Sequence, residues 1–140
     1  MSINLTLLAI ATLELETPTY IANGPRGTRV IAEIRNASWE GERLNAKQKG
    51  NAAADWALVG ADGTLAIDVR TTLETDDGAI IFVSYEGRAQ MTQNGASPLI
   101  ITPRFETGDD RYKWLNKVQA IGRGSRDEQG RLVYKIYEAK

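Results

Sequence analysis

The chain of 140 residues contains neither cysteine nor histidine. Without cysteine there is no disulfide, no thiolate nucleophile and no thiolate metal site. Without histidine the chain lacks the usual general base near neutral pH, the Ser-His-Asp triad and most zinc or iron sites. Any catalysis must therefore use carboxylates, lysine, arginine, tyrosine or backbone groups, and we expect neither a metal nor a cofactor.

Charge and hydropathy disfavour two further classes of protein. The formal net charge is -1, and the 17 lysines and arginines form no basic stripe, so we predict no nucleic-acid partner. The longest apolar run, Leu5 to Leu13, is interrupted by two threonines and lacks the basic flank of a signal peptide. It is also too short to span a bilayer. The sequence therefore predicts a cytoplasmic protein with no membrane partner.

The remaining pattern predicts a single all-β domain over residues 1–140. Hydrophobic residues make up 42% of the chain, enough for one core at this length. Segments rich in Val, Ile, Thr and Tyr alternate with Gly-rich turns, and helical periodicity is almost absent. We predict about eight to ten strands, which include 4–16, 29–39, 55–59, 64–75, 79–88, 99–105, 118–122 and 131–138, and one short helix near 108–116. This spacing favours a closed antiparallel up-and-down β-barrel, with a sandwich as the alternative.

Asp55 is the first candidate for proton transfer. It stands next to Trp56 and shares its strand face with Ala57 and Val59. A carboxylate among such neighbours is desolvated, and its pKa is then raised towards the working pH. The alternative is that Asp55 only caps a loop while Trp56 fills core space.

Asp68 and Arg70 form the second candidate. They lie two residues apart on the predicted strand 64–75, so their side chains share a face. The opposite face of that strand is apolar and consists of Leu65, Ile67, Val69 and Leu73. In one interpretation the polar row faces water and the apolar row faces the core. In the other, the polar row faces a barrel lumen, where a buried ion pair could hold a substrate oxygen or poise a base.

The segment 105–116 concentrates aromatic side chains, an arginine and an amide. These residue types can line a small-molecule pocket at one mouth of a barrel, or can simply anchor a capping helix. Upstream of it, Asp76-Asp77-Gly78 fits a tight turn between two strands, because glycine readily supplies the positive φ that such a turn needs.

Three motifs in a consistent order, "ADW", "DVRTTLETDDGAIIFVSYEG" and "TPRFETGDDRYKWLN", resemble the bacterial and fungal family known as domain of unknown function 3237. The resemblance extends from about residue 5 to about residue 137. It implies a single-domain barrel of lipocalin-like or allene-oxide-cyclase-like type, often paired into a homodimer, with its polar motif residues inside. Asp68, Arg70 and Tyr85 would then face the lumen, and Ile80 and Phe82 would pack outside.

Together, the residue types and the resemblance favour an enzyme of isomerase, cyclase or lyase type that acts on a small carbonyl compound. Asp55 or Asp68 would move a proton, while Arg70 and Tyr85 would stabilise the enolate oxygen. The predicted substrate-binding residues are Arg35, Trp56, Arg111, Trp114 and Asn116. The alternatives are a non-catalytic barrel that binds a small hydrophobic ligand, and a purely structural protein.

Overall fold

A computed structural model describes all 140 residues. They form eleven strands and a single 3-10 turn, Lys113–Lys117. The strands are β1 (Leu5–Leu15), β2 (Thr19–Gly24), β3 (Gly27–Glu40), β4 (Asn45–Gln48), β5 (Ala54–Val59), β6 (Thr64–Thr75), β7 (Ile80–Thr92), β8 (Gly95–Ile101), β9 (Arg104–Glu106), β10 (Gln119–Arg126) and β11 (Leu132–Ala139).

The strands close into one antiparallel barrel with eight positions, each paired with the next along the chain. Three positions are filled by two strands in succession. β1 and β2 both pair with β3, β4 and β5 both lie between β3 and β6, and β8 and β9 both pair with β7. The pairing of β1 with β11 closes the ring. The predicted up-and-down barrel is therefore confirmed.

The helix is shorter than the predicted one near 108–116. Its single turn begins only at Lys113, and Tyr112 precedes it without a side-chain cap. Asp109 accepts the backbone N–H of Arg111 at 2.9 Å and binds its guanidinium as well. These bonds hold the preceding residues in a non-helical turn. No helix of this chain has the length and apolar character needed to cross a membrane.

The two ends of the barrel differ. The hairpin turns at 25–26, 60–63, 93–94 and 127–131 lie together at one end, which we call the open end. Side chains continue to alternate between the inner and outer faces of the strands up to this end. The inward side chains there are only half-buried. These half-buried inward residues include Leu15, Thr28, Val30, Val59, Leu65 and Leu99.

The opposite, closed end is plugged by side chains. Leu44 and Leu115 are fully buried there, and Trp39 meets Phe105 edge-on with ring centroids 5.9 Å apart. At the rim, Glu138 pairs with Arg43 at 2.6 Å, and the Arg43 guanidinium stacks over the ring of Trp114 at 4.4 Å. The interior is therefore closed by packed side chains at this end.

The plug makes a testable contribution to stability. Leu115 has 0% of its surface exposed, so we expect Leu115→Ala to lower the free energy of unfolding by about 2–5 kcal/mol, the range for a leucine truncated in a core. Ile80→Ala is the control, because Ile80 is 47% exposed and its loss should cost less than ~0.5 kcal/mol. Urea unfolding measures both. Equal losses of stability in the two variants would contradict the assignment of Leu115 to the plug.

Candidate active site

Asp55 faces the barrel interior from β5. It lies directly opposite Ala32 on β3 and Val69 on β6, and both of these are buried inward residues. Side chains of directly paired residues share a face. Asp55 is itself half-buried, at the boundary between the packed core and the open end.

The sheet is interrupted beside Asp55. The β5–β6 pairing passes from Asp55↔Val69 to Leu58↔Ala66 without a full pair between them. Instead, the backbone N–H of Asp68 donates to Asp55 Oδ1 at 2.9 Å. Arg29 Nη1 donates to the carbonyl of Trp56 at 3.0 Å. Two side chains thus satisfy the backbone groups that the ladder leaves free.

Burial raises the pKa of Asp55 from 3.8 to about 6. The hydrogen bond from the Asp68 N–H acts in the opposite direction, and the nearby charge of Asp68 adds a smaller increase. A carboxyl group with this pKa is divided between its acid and base forms near pH 6, so it can both accept and return a proton.

Two buried tyrosines lie beside Asp55. The rings of Tyr85 and Tyr134 meet at an angle of 64° with centroids 6.0 Å apart. Burial raises the pKa of each hydroxyl, and the charge of Asp55 raises both further. Both hydroxyls therefore stay protonated as donors. Among the five tyrosines of the chain, only Tyr112 donates a hydrogen bond within the chain, which leaves Tyr85 and Tyr134 with an unused donor each.

Tyr134 was not predicted as a site residue, and a glycine on the neighbouring strand positions it. Gly124 pairs with Tyr134, and a Cβ on Gly124 would lie 2.5 Å from Tyr134 Cε1. The ring therefore lies against bare backbone. The sequence carried one signal for this arrangement, the alternating glycines Gly122 and Gly124, which make room for large side chains on the next strand.

Arg126 is the second residue that the sequence reasoning missed. It pairs with Leu132, a buried inward residue, so its side chain starts from the inward face of β10 at the open end. Its positive charge acts to lower the pKa of Tyr134 against the larger effect of burial. No functional prediction fell on residues 122–126, and the inward position of Arg126 follows only from the pairing of β10 with β11.

The interior also holds unused polar atoms below Asp55. Thr71 Oγ1 and Gln48 Oε1 are buried without a hydrogen-bond partner. Thr71 follows Val69 on the inward face of β6 and is a diagonal neighbour of Tyr85, because Val69 pairs with Tyr85 and Thr71 with Val83. Hydrogen-bonding capacity therefore extends from Asp55 into the core.

The predicted lumen position of Asp68 and Arg70 is wrong. Both side chains are exposed on the outer face of β6, whereas Ile67, Val69 and Leu73 are buried inside. Burial of the apolar row decides the orientation, because unpaired charges would be costly inside. Trp56 also faces outward, where the guanidinium of Arg70 stacks over its ring at 4.4 Å. Tyr85 is buried inside, where we expected it, and its catalytic role stays a prediction.

The other predicted substrate-binding residues lie away from Asp55 in local pairs. Arg35 is on the outer face of β3, with Glu14 at 3.3 Å and Glu16 at 3.6 Å. Arg111 binds Asp109 and Asp77, and its side-chain hydrogen bonds hold the pKa of Asp109 at about 2.

Trp114 and Asn116 also have structural partners. Trp114 stacks with Arg43 at the closed end. The amide of Asn116 bonds the backbone N–H and carbonyl of Thr107. Asn116 lines a shallow outer groove with Phe82 and Glu106. We place the candidate site at the open end rather than in this groove, because only Asp55 has a carboxyl pKa raised by burial.

The comparisons with known proteins agree with the fold. A family described as "Protein of unknown function (DUF3237)" matches residues 3–139. A β-barrel-like protein of Acinetobacter baumannii has a similar crystal structure, with a TM-score of 0.88 and 29% sequence identity, over 100% of this chain and 98% of that chain. A UPF0311 protein of Rhodopseudomonas palustris is 26% identical over 125 residues, which are 80% of this chain and 80% of that protein.

One relative has a name that describes chemistry. The hydroalkoxylation enzyme phnH of Penicillium herquei is 38% identical over 63 residues. The matched region covers 45% of this chain and 36% of that protein. The likeness is therefore to a part of that enzyme.

The raised pKa of Asp55 predicts how stability depends on pH. The folded-state value of about 6 exceeds the ordinary 3.8, so the stabilisation by the protonated carboxyl is complete below pH 3.8. It is lost as the pH rises through 6. We expect Asp55→Asn to be more stable than the wild type at pH 8 by on the order of 2 kcal/mol, and equally stable at pH 3.5.

Denaturant unfolding at the two pH values measures this difference. Glu33→Gln is the matched control, since Glu33 is an exposed acidic residue on the neighbouring strand β3. Its effect at each pH is the reference with which the effect of Asp55→Asn is compared. An Asp55→Asn effect that does not change between pH 3.5 and pH 8 would contradict the raised pKa.

Proposed function

We propose that this chain, which belongs to the family of proteins of unknown function DUF3237, is an enzyme that transfers protons on a small organic molecule. The molecule binds at the open end of the barrel, and Asp55 is the acid–base group. The observation that carries this proposal is a carboxyl whose pKa is raised to about 6, placed beside two tyrosine hydroxyls that have no acceptor in the chain.

The proposed step is enolisation of a carbonyl compound. The Asp55 carboxylate takes a proton from the carbon next to the carbonyl, the C–H electron pair forms the enolate, and the negative charge develops on the carbonyl oxygen. Tyr85 or Tyr134 donates a hydrogen bond to that oxygen, which stabilises the charge. The protonated Asp55 then returns its proton to another atom of the substrate, which gives an isomerisation.

The comparison with phnH is compatible with this chemistry. A hydroalkoxylation adds the O–H of an alcohol across a carbon–carbon double bond, so one atom loses a proton and another gains one. A single carboxyl group that accepts and returns a proton suits such a reaction. The name of that relative supports small-molecule chemistry in this barrel, and the assignment of Asp55 rests on its position and pKa alone.

A second candidate function is binding without catalysis. Five of the half-buried inward side chains at the open end are aliphatic, and they would bury the apolar body of a ligand. In that case Asp55 and the tyrosines would only orient the ligand. The two functions differ in whether removal of the Asp55 charge abolishes a reaction.

Deuterium exchange from D₂O into enolisable ketones and cyclic enones, followed by NMR, tests the proposal. We expect Asp55→Asn to lower the exchange rate by about 10²–10⁴-fold, the usual contribution of a general base. The wild-type rate should rise with pH and level off above about 6, where Asp55 is ionised.

Asp68→Asn is the matched control for this exchange assay. Asp68 is an exposed carboxylate on the adjacent strand, so its variant should stay within a few-fold of the wild-type rate. Tyr85→Phe tests the proposed donor and should lower the rate by less than Asp55→Asn does. Exchange that is equal in the wild type and Asp55→Asn would exclude proton transfer by Asp55.

We also propose that the chain forms a homodimer through an apolar outer face. Leu7, Tyr137 and Ile121 lie side by side across β1, β11 and β10. Leu5 and Ile10 extend the face along β1, and Leu5 and Leu7 are 54% and 53% exposed. The outer face of an antiparallel sheet can meet its own copy about a two-fold axis, so one patch serves both subunits.

Light scattering coupled to gel filtration tests the dimer. We expect the wild type to elute with twice the mass of the chain and Leu7→Asp to elute as a monomer, because a charge would be buried in the interface. Ile80→Asp is the control, as Ile80 is an equally exposed apolar residue on β7, away from this face. A monomeric wild type at high concentration would exclude the proposed interface.

A further inference from the structure

We propose that Arg126 selects the ligand of the open end, and that the ligand class is a small apolar molecule with an anionic oxygen group. The proposal deepens the proposed function and names its substrate class, a carboxylic acid, phenolate or enolate with a hydrophobic body. Arg126 would act as a specificity-determining residue that binds the anionic group and leaves the reacting carbon near Asp55.

Arg126 is placed for this role by the β10–β11 pairing. Along β10 the inward positions include Gly122, Gly124 and Arg126, which pair with Ile136, Tyr134 and Leu132. Arg126 is therefore the next inward residue beyond the Gly124–Tyr134 pair. Gly124 has no side chain, so no atom of that residue stands between the Arg126 side chain and the Tyr134 ring.

The guanidinium of Arg126 has unused binding capacity. It takes part in no salt bridge, whereas the acidic residue next to it, Asp127, is held by Arg131 at 2.8 Å. Its one hydrogen bond runs from Nη1 to the carbonyl of Gly130 in the adjacent turn, at 2.9 Å. This bond holds the side chain at the rim and leaves the Nε and Nη2 donors free. A guanidinium can bind a carboxylate through two parallel hydrogen bonds.

The chemistry of the surrounding open end fits the rest of such a ligand. The half-buried inward residues of the open end include Leu15, Leu65 and Leu99, which can bury a hydrophobic body but cannot fix its orientation. The guanidinium of Arg126 supplies that orientation. It also disfavours neutral molecules, because they cannot form the charge-assisted contact.

Two fluorescent probes that differ by one group test the inference. 8-Anilinonaphthalene-1-sulfonate carries an anion on the apolar body of N-phenyl-1-naphthylamine, which is neutral. We expect Arg126→Gln to weaken binding of the anionic dye about tenfold, the effect of losing one charge-assisted contact, and to change binding of the neutral dye less than twofold. Arg126→Lys should retain part of the preference for the anionic dye.

Arg123→Gln is the matched control, since Arg123 is an exposed arginine on the outer face of the same strand, and it should change neither affinity. Leu65→Asp changes the proposed binding site itself, so it should weaken the binding of both dyes. The inference is overturned if Arg126→Gln leaves the ratio of the two affinities unchanged, or if Leu65→Asp weakens neither dye. Dye binding does not require proton transfer, so the two proposals can fail separately. If Arg126 sets the preference for the anionic dye but deuterium exchange does not depend on Asp55, only the proposed proton-transfer function is overturned.

Discussion

The pairing of β6 with β7 is the interaction on which the rest of the barrel depends. Its ladder is uninterrupted from Thr64↔Gln90 to Glu74↔Ile80 and contains no register shift. The same alternation therefore holds along both strands, and a slip of one residue would exchange the inner and outer faces. The register brings Tyr85 to the interior opposite Val69, and Val69 in turn aligns Asp55 from β5. The candidate site is thus fixed by backbone pairing across three strands.

Local patterns were sufficient to predict most of the strands. The sequence predicted β6 over its full extent, because Gly63 precedes it and Asp76-Asp77-Gly78 ends it, and Gly63 and Gly78 both take positive φ. The division of 99–105 into β8 and β9 could not be predicted, since it depends on how two segments share one edge of β7. Strand β2 was not predicted. It pairs with the first part of β3, and its residues are mostly exposed, so its sequence lacks the alternation of a half-buried strand.

The site was predictable only where one segment carries the signal. Asp55 was found because its apolar neighbours on the same face indicate desolvation. The predicted orientation of Asp68 and Arg70 was wrong, because strand alternation defines two faces and does not say which one is inside. The free energy gained by burying three aliphatic side chains, about 1.5–3 kcal/mol each, places the apolar face of β6 inside. Tyr134 and Arg126 come from a distant hairpin, and only the closure of the ring brings that hairpin to Asp55.

Asp55 lies at the boundary between the packed core and the half-buried open end of the barrel. Deeper positions are packed against the plug at the closed end. Positions nearer the rim are too solvated to raise a pKa. At the boundary, the break in the β5–β6 ladder provides the Asp68 N–H that holds the carboxyl in place. Because burial raises the pKa of Asp55 to about 6, we expect its charged form to cost stability at neutral pH.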